Sequence, residues 1–538
     1  MARWPFAAAH SPAAGLTLGG AAFGHVRPAA NSLARAKAAH TEAQVLTLIL
    51  ITAVLRLVFA AMFGLGVDES YMVAAGRSLQ FGYFDHPPVA WWMAWGAAHL
   101  AGSEAPLAVR LPFILLFAAS TWLMYRLGAA LYSDRAGLWA AVVLNLSPVL
   151  GFTAASWVLP DGPLIFALLG FAVCLTHASR DPGRRALGWW LLAGLCAGLA
   201  LTSKYTAILT LIGAGAYLLT SARRGAWLRH PGPWLAAAAG LLVFMPVIVW
   251  NLQHHWASFA FQGGRAGALE FHPERLFTTL LGEGVFILPW LWLPLMILLV
   301  AGLRRGPGDR SAWLLCCLGL PPIALFAAVS VVAHKAVLMH WAAPGYLMLI
   351  PLLGAVIEER LAFGDRRVAG AIVATAIFMG LLIGLVASEV RFNWLPQGFA
   401  PAVAKTNPNL EVIDWTTLKT SLAARDLLDR PNTVIGTTSW RFAGKVDYAL
   451  GGAAPVICLN DDQRQYGFAR PRDRQIGRDV LIIAPDRPDL AEIQREYGGR
   501  FATIRPLAPV VVLHAGRPAF VVSLYLGTAL RLPAPDHG

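Results

Sequence analysis

Charged residues are scarce in this chain. Asp, Glu, Lys and Arg make up 14% of its 538 residues, and 57% of the residues are hydrophobic. Soluble domains carry about 25% charged residues, and the mean hydropathy here is +0.57. The composition therefore excludes a large soluble enzyme and indicates a polytopic membrane protein.

Cysteine is also rare, with five residues in the whole chain. Four of them lie in apolar runs, Cys458 stands alone in the polar tail, and no C-x-x-C pair occurs. We therefore expect no structural disulfide, no metal site and no cofactor. The polar tail contains no glycine-rich phosphate loop and the chain has no solenoid repeat.

The first 40 residues lack a long apolar core, so they do not resemble a secretory signal. The sequence predicts a disordered cytoplasmic leader over residues 1–43. A membrane domain over 44–390 then contains about eleven helices that are apolar enough to span a bilayer. The predicted spans are 45–66, 106–130, 136–155, 161–178, 187–203, 205–220, 232–250, 281–302, 312–333, 341–357 and 368–389.

The formal net charge is +13, which could suggest nucleic acid, but much of the arginine lies in alternate loops, where it sets topology. The richer loops hold Arg126, Arg135, Arg180, Arg184, Arg185, Arg223, Arg224, Arg229, Arg304, Arg305, Arg310, Arg360, Arg366 and Arg367. The poorer set holds Arg77, Lys204, Arg265, Arg275 and Lys335. The positive-inside rule places the richer set and the N-terminus in the cytoplasm. With eleven spans, residues 391–538 are then outside.

The polar tail over 391–538 changes in character. Short β-rich runs alternate with helical patches, which predicts a small mixed α/β domain. The runs are "NTVIGTT", "APVICL", "DVLIIA", "PVVVLH" and "AFVVSLYL".

The first outer loop, residues 67–105, collects three acids and a histidine. Asp68 and Glu69 follow the first span, and Asp85 and His86 precede two prolines that forbid a continuing helix. Residues 70–81 and 89–100 have the spacing of helices lying in the interface. These groups could be ordinary helix-end and turn residues, but their number in one loop favours a functional site.

Three further outer positions carry isolated polar groups. Asp161 lies between Pro160 and Gly162 at a helix start, where an N-cap is an equally good reading. Lys204 lies in an apolar context and could snorkel to the interface or contact a phosphate. A span is preceded by His334, Lys335 and His340. These residues could belong to an ordinary loop or contact a lipid phosphate; a zinc site is the less favoured interpretation.

Acids and cations together at one membrane face suit the transfer of a group from a lipid phosphate to an acceptor. A carboxylate takes the proton of the attacking hydroxyl, and cations stabilise the departing phosphate.

These residues resemble the bacterial glycosyltransferase family 39, which includes protein O-mannosyltransferases and the lipid A aminoarabinose transferase. The resemblance covers most of residues 45–470. It is carried by "DESYMVAAGRSLQFGYFDHPPVAWW", "VRLPFIL", "LPDGPL", "SKYTAIL", "VWNLQHHWASFAFQ" and "GKVDYALGGAAPVICLNDDQRQYGF".

The resemblance implies a GT-C membrane fold and a polyprenyl-phosphate sugar donor. It implies that Asp68, with Glu69 beside it and Asp85, forms the catalytic group. It also implies that Asp161 and the Ser-Lys-Tyr motif with Lys204 and Tyr205 belong to the site. With His86, Lys335 and His340, which the loop positions suggest, these are the expected substrate-binding residues. The lipid A branch has Glu-Lys where this chain has Asp85-His86, so the resemblance does not specify aminoarabinose transfer.

The sequence thus predicts an inner-membrane glycosyltransferase with its tail in the periplasm, acting on an envelope glycan, lipid or protein and using no nucleic acid. A lipid-sugar flippase, a non-catalytic glycan-binding envelope protein and an oligosaccharide ligase are the alternatives. The flippase needs a path to both faces, whereas the acids cluster on one side.

Overall fold

The computed structural model describes residues 26–531 except 181–182, 184, 268, 335–336, 393, 395–412, 488 and 515. Residues 1–25 of the expected leader lie outside this set. A helix runs over Val26–Met62, so residues 26–43 of the expected leader are helical in the structure, and the domain boundary at residue 43 stays a prediction. The helix extends beyond the apolar run because nothing between Val26 and Gln44 interrupts it except Pro28, which is tolerated in a first turn.

Helices account for most of the described chain up to Phe392. After Val26–Met62, the longer ones are Val67–Ala75, Val89–Ala101, Pro106–Leu131, Asp134–Leu146, Asp161–Arg180, Arg185–Ser203, Ala207–Thr220, Pro231–Gln253, Glu274–Ile287, Pro289–Arg305, Arg310–Val332, Ala343–Ala362 and Arg366–Phe392. The shorter ones are Ala154–Ser156, Arg224–Arg229 and Ala257–Gly263.

Seven helices of the described part of the chain are long and apolar enough to cross a membrane, and up to nine spans result if each of two bent pairs is one span. Helix Ala207–Thr220 is apolar but shorter. Each predicted span contains helix, while the total of eleven stays a prediction.

Two predicted spans are broken rather than continuous. Helix Asp134–Leu146 and the segment Pro148–Ser156, which begins with a π-helical turn, meet at an angle of 81°. Glu274–Ile287 and Pro289–Gly308 meet at 116°, across Leu288, which has a φ of 89°. A proline follows each break, and proline disfavours helical backbone in the residue before it.

The C-terminal part contains a five-stranded sheet that includes all five predicted runs. The strands are β1 Thr433–Thr437, β2 Val456–Cys458, β3 Asp479–Ala484, β4 Thr503–His514 and β5 Arg517–Thr528. Their order is β2-β1-β3-β5-β4; β1 pairs in parallel with β2 and β3, and β5 pairs antiparallel with β3 and β4. The helices among and before them are Thr416–Ala423, Trp440–Leu450, Tyr466–Ala469 and Leu490–Tyr497.

This C-terminal sheet domain packs on the segment that contains the first loop. Buried side chains of both parts, including Tyr71, Trp91, Val446 and Tyr466, form one hydrophobic cluster. Gly444 lies so close to helix Val67–Ala75 that a Cβ there would be 2.7 Å from the Tyr71 Cα. The close approach requires glycine and fixes the sheet domain over this face of the helix bundle, which we call the loop face.

Candidate active site

Helix Val67–Ala75 starts immediately after the first long helix, and Glu69 holds its N-terminus. The Glu69 carboxylate accepts hydrogen bonds from the Gly66 N–H at 2.8 Å and the Val158 N–H at 3.0 Å. Arg110 donates to it from Nε at 2.8 Å and from Nη2 at 2.5 Å. Burial alone would raise the pKa of Glu69, but the Arg110 charge and these hydrogen bonds lower it below its usual value.

Glu69 does not line the cavity described below and is 1% exposed. Its contacts are those of a buried ion pair with Arg110, so the geometry does not support the catalytic role expected of Glu69 beside Asp68, and that role stays a prediction. Adjacent residues of a helix point in directions about 100° apart, so Asp68 and Glu69 cannot face the same space.

Asp68 is exposed, and the space that it faces is a cavity of about 340 Å³ on the loop face. Although its surface is accessible from the cavity, Asp68 is surrounded by protein. This desolvation and the charges of Asp85 and Glu69 raise the pKa of its carboxyl, while Arg441 and Arg464 oppose that rise. A carboxylate with a raised proton affinity is suited to act as a general base.

Asp85 reaches the same cavity from the loop that precedes the two prolines. It is 2% exposed, so the turn before the prolines buries this carboxylate instead of presenting it at the outer surface. The Tyr71 hydroxyl donates to its Oδ1 at 3.2 Å, and Arg464 Nη1 donates to its Oδ2 at 3.2 Å. Its backbone carbonyl accepts a hydrogen bond from Gln262. These contacts hold the carboxylate in one orientation.

Asp161 and Lys204 form an ion pair on the cavity wall. Asp161 begins helix Asp161–Arg180, and Lys204 lies at the break between two helices. The Lys204 Nζ is 2.9 Å and 3.1 Å from the two Asp161 oxygens. Both residues line the cavity, so these contacts favour a role at the site for Asp161 over a purely capping one.

His86 and His340 also line the cavity, as does Arg265, which sequence reasoning had placed only among the outer-loop cations. Burial lowers the pKa of both histidines to about 4, and the charges of Lys204 and Arg265 contribute. Arg265 stacks on the rings of Phe261 and Trp341. At neutral pH both imidazoles are therefore uncharged, and the positive charge in this part of the cavity is that of Lys204 and Arg265.

A second cavity of about 320 Å³ adjoins the first. The two share lining residues His86, Lys204, Arg265 and Trp341. The rest of the second cavity is largely apolar and is lined by Ile208, Leu209, Leu325, Phe326 and Val329. Tyr205 lines it too, with its hydroxyl 2.7 Å from the Ser258 Oγ. A charged chamber thus continues into an apolar one between membrane helices.

Six of the nine predicted site residues meet at the first cavity: Asp68, Asp85, His86, Asp161, Lys204 and His340. Tyr205 is at the adjoining cavity, and Lys335 lies outside the described residues. Sequence reasoning missed Trp440 and Arg464, which enter from the C-terminal sheet domain. Arg464 lies within the stretch "GKVDYALGGAAPVICLNDDQRQYGF" that carries the resemblance, but nothing in that stretch singles it out, and Trp440 lies outside it. Within the described ranges, no group of three or more His, Cys, Asp or Glu residues is placed to hold a metal ion.

Residues 85–250 match the family model described as "Dolichyl-phosphate-mannose-protein mannosyltransferase". The chain is also 24% identical over 294 residues to the lipid A galacturonosyltransferase RgtD of Rhizobium johnstonii. That match spans 52% of this chain and 58% of the relative. The resemblance predicted from the sequence is confirmed.

Two crystal structures of ArnT from Cupriavidus metallidurans share the fold. The apo structure has a TM-score of 0.60 at 15% identity and covers 91% of this chain and 99% of ArnT. The structure bound to undecaprenyl phosphate has a TM-score of 0.58, also at 15% identity, and covers 91% of this chain and 98% of ArnT. The chain is a multi-pass membrane protein with a GT-C fold.

Proposed function

We propose, from this mannosyltransferase-type domain and the cavity at its loop face, that the protein is a membrane glycosyltransferase. It moves a sugar from a polyprenyl-phosphate donor to a hydroxyl of an envelope acceptor. The observation that carries the proposal is the meeting of Asp68, Asp85, Lys204 and Arg265 at a cavity that continues into an apolar one. A donor with a charged phosphate and a hydrocarbon tail needs both environments side by side.

In this mechanism Asp68 is the general base. Its carboxylate takes the proton from the acceptor hydroxyl while the hydroxyl oxygen attacks the anomeric carbon. The bond from that carbon to the phosphate oxygen breaks, and polyprenyl phosphate departs with the electron pair. A single displacement of this kind inverts the anomeric configuration. Asp85 and Asp161 accept hydrogen bonds from sugar or acceptor hydroxyls.

Lys204 and Arg265 stabilise the charge that develops on the departing phosphate. The position of both residues on the walls of both cavities supports this assignment. His86 and His340, uncharged at neutral pH, each supply one N–H donor rather than a positive charge. The first isoprene units occupy the apolar cavity, which Tyr205 also lines.

Undecaprenyl phosphate is the proposed lipid, since one of the ArnT structures with this fold is bound to it. Lipid A is one candidate acceptor, because the matched relative is named a lipid A galacturonosyltransferase. The loop face and the C-terminal sheet domain are then periplasmic, in a bacterial inner membrane, with the N-terminus in the cytoplasm. The alternation of arginine-rich loops supports this orientation.

The test is mass spectrometry of envelope glycans, lipids and proteins from a strain that lacks the gene. The strain is complemented with the wild type, with Asp68→Asn or with a control, Asp429→Asn, which changes an exposed carboxylate of the sheet domain. We expect one sugar mass to disappear on deletion and to return with the wild type and with the control only.

Restoration of the sugar by Asp68→Asn would show that the carboxylate is structural. It would favour a flippase or a glycan-binding protein instead. A deletion strain with an unchanged envelope glycan profile would contradict glycosyl transfer itself.

A further inference from the structure

The sheet domain does more than cover the loop face, because one of its side chains enters the cavity. Arg464 lies between β2 and the short helix Tyr466–Ala469. Its guanidinium carbon is 4.4 Å from the centre of the Trp440 ring and 4.9 Å from that of Phe261. The side chain is only 15% exposed. An arginine between two aromatic faces is fixed in direction as well as in charge.

The Arg464 backbone has a φ of 51°, in the left-handed region that residues with a Cβ rarely adopt. The next residue explains how this conformation is held. The Gln465 N–H donates to the Tyr71 hydroxyl at 2.9 Å, and its Oε1 accepts from the Phe84 N–H at 2.9 Å. Strain of this kind persists where the surroundings over-determine it, and it concentrates at functional sites.

The guanidinium also links two carboxylates. Arg464 Nη1 is 3.2 Å from Asp85 Oδ2, and Nε is 3.1 Å from Asp462 Oδ1. The same Tyr71 hydroxyl that accepts from Gln465 donates to Asp85 Oδ1. The sheet domain therefore contacts one oxygen of the Asp85 carboxylate directly through Arg464, and it contacts the Tyr71 hydroxyl that holds the other oxygen through the Gln465 N–H.

We propose that Arg464 is a positioning residue for glycosyl transfer, acting through Asp85, so that the docked C-terminal domain completes the active site. This inference rests on the proposed function. Arg464 orients the Asp85 carboxylate and balances its charge at a position where Asp68 must also be ionised. Without the arginine, the negative charges of Asp68 and Asp85 would face the same cavity with one fewer positive charge to balance them.

The pKa of Asp68 depends on the balance of charges around the cavity. The charged groups that act on it are the carboxylates of Asp85 and Glu69 and the guanidinium groups of Arg441 and Arg464; it also interacts with Arg265. Removal of the Arg464 charge raises the pKa of Asp68 further, because one of the opposing cations is lost. The acidic limb of the pH profile of kcat/KM then moves to higher pH.

The experiment uses purified full-length protein, reconstituted in membranes of the deletion strain, which supply native donor and acceptor. The rate of formation of the product is measured from pH 5 to pH 9 for the wild type, Arg464→Gln, Arg464→Lys and Arg505→Gln. Arg505 is an exposed arginine of β4 and serves as the matched control.

For Arg464→Gln we expect the acidic limb to move up by about one pH unit, and kcat/KM at pH 7 to fall about tenfold or more. Arg464→Lys keeps the positive charge but loses the planar guanidinium. We therefore expect the acidic limb of its pH profile to stay at the wild-type pH while kcat falls several-fold. Arg505→Gln behaves as the wild type. A structural role alone would reduce the amount of active protein without moving the limb.

An Arg464→Gln protein with the wild-type limb and rate overturns the inference and leaves the proposed function intact. If Arg464→Gln does not accumulate, Arg464→Lys provides the test. An acidic limb that shifts by a full pH unit although the charge is retained overturns the inference. An acidic limb at the wild-type pH, with kcat per folded molecule reduced, supports it. Absence of any product with the wild type would instead remove the proposed function.

Discussion

Glu69 and Arg110 are joined by two hydrogen bonds of 2.8 Å and 2.5 Å between residues 41 positions apart in the chain. Arg110 also donates to the carbonyls of Phe63 and Gly64, each at 2.8 Å. The ion pair therefore ties the end of the first helix to helix Pro106–Leu131, directly beside Asp68.

Glu69→Gln should lower the apparent melting temperature, because it leaves the Arg110 charge buried without its partner. Breaking a buried pair in this way costs about 3–5 kcal/mol. Since the pKa of Glu69 is lowered on folding, its contribution is present above the unfolded pKa of about 4.3 and is lost as pH falls through the folded value. The difference from wild type should therefore shrink at acidic pH. An equal melting temperature for Glu69→Gln and the exposed control Glu492→Gln would contradict the assignment.

Asp161 and Lys204 should behave as one unit in catalysis. Lys204→Met is expected to reduce kcat by about 100-fold through loss of a phosphate contact. Asp161→Asn should reduce kcat less when Lys204 is already methionine, because the ion pair between Asp161 and Lys204 is then already absent. A double-mutant cycle measured by product formation should give a coupling of about 0.5–3 kcal/mol. If the effects of the two substitutions on product formation were strictly additive, the ion pair between Asp161 and Lys204 would make no contribution to catalysis.

His86 and His340 should not set the pH dependence of the reaction near neutrality. Burial lowers the pKa of each to about 4, so both are uncharged from pH 6 to 8. Whatever their rates, His86→Gln and His340→Gln should therefore have pH profiles with the wild-type shape in that range. Loss of a limb with a midpoint between pH 6 and 7 in either variant would show that the histidine titrates during turnover.

Lys445 makes the docking of the sheet domain dependent on pH. Its Nζ donates to the carbonyls of Leu65 and Ile413, each at 2.7 Å, and burial lowers its pKa to about 7. Between pH 7 and about 10 the unfolded chain binds a proton that the folded protein lacks, so stability rises with pH in that window.

The melting temperature of the wild type minus that of Lys445→Met should consequently increase from pH 7 to pH 10. Lys419→Met, at an exposed lysine of the same domain, should show no such trend relative to wild type. A constant difference for Lys445→Met across that range would mean that the lysine keeps its proton when the domain is docked.

The sequence by itself determined the class of the protein, the helical segments, the five strands and most of the polar groups at the site. Apolar runs and period-two patterns are local properties of a chain, so they can be read without knowing the fold. Asp85, Asp161 and Lys204 could be found because an ionisable group in an apolar context is costly and therefore conspicuous.

Only the tertiary structure decided which of these groups meet. Asp68 and Glu69 are neighbours in sequence, yet one faces the cavity and the other pairs with Arg110, because the helix turns about 100° per residue. Arg464 contacts Asp85 across 379 positions of sequence. Its surroundings in the chain are those of a polar loop, and it becomes part of the site through the packing of two domains.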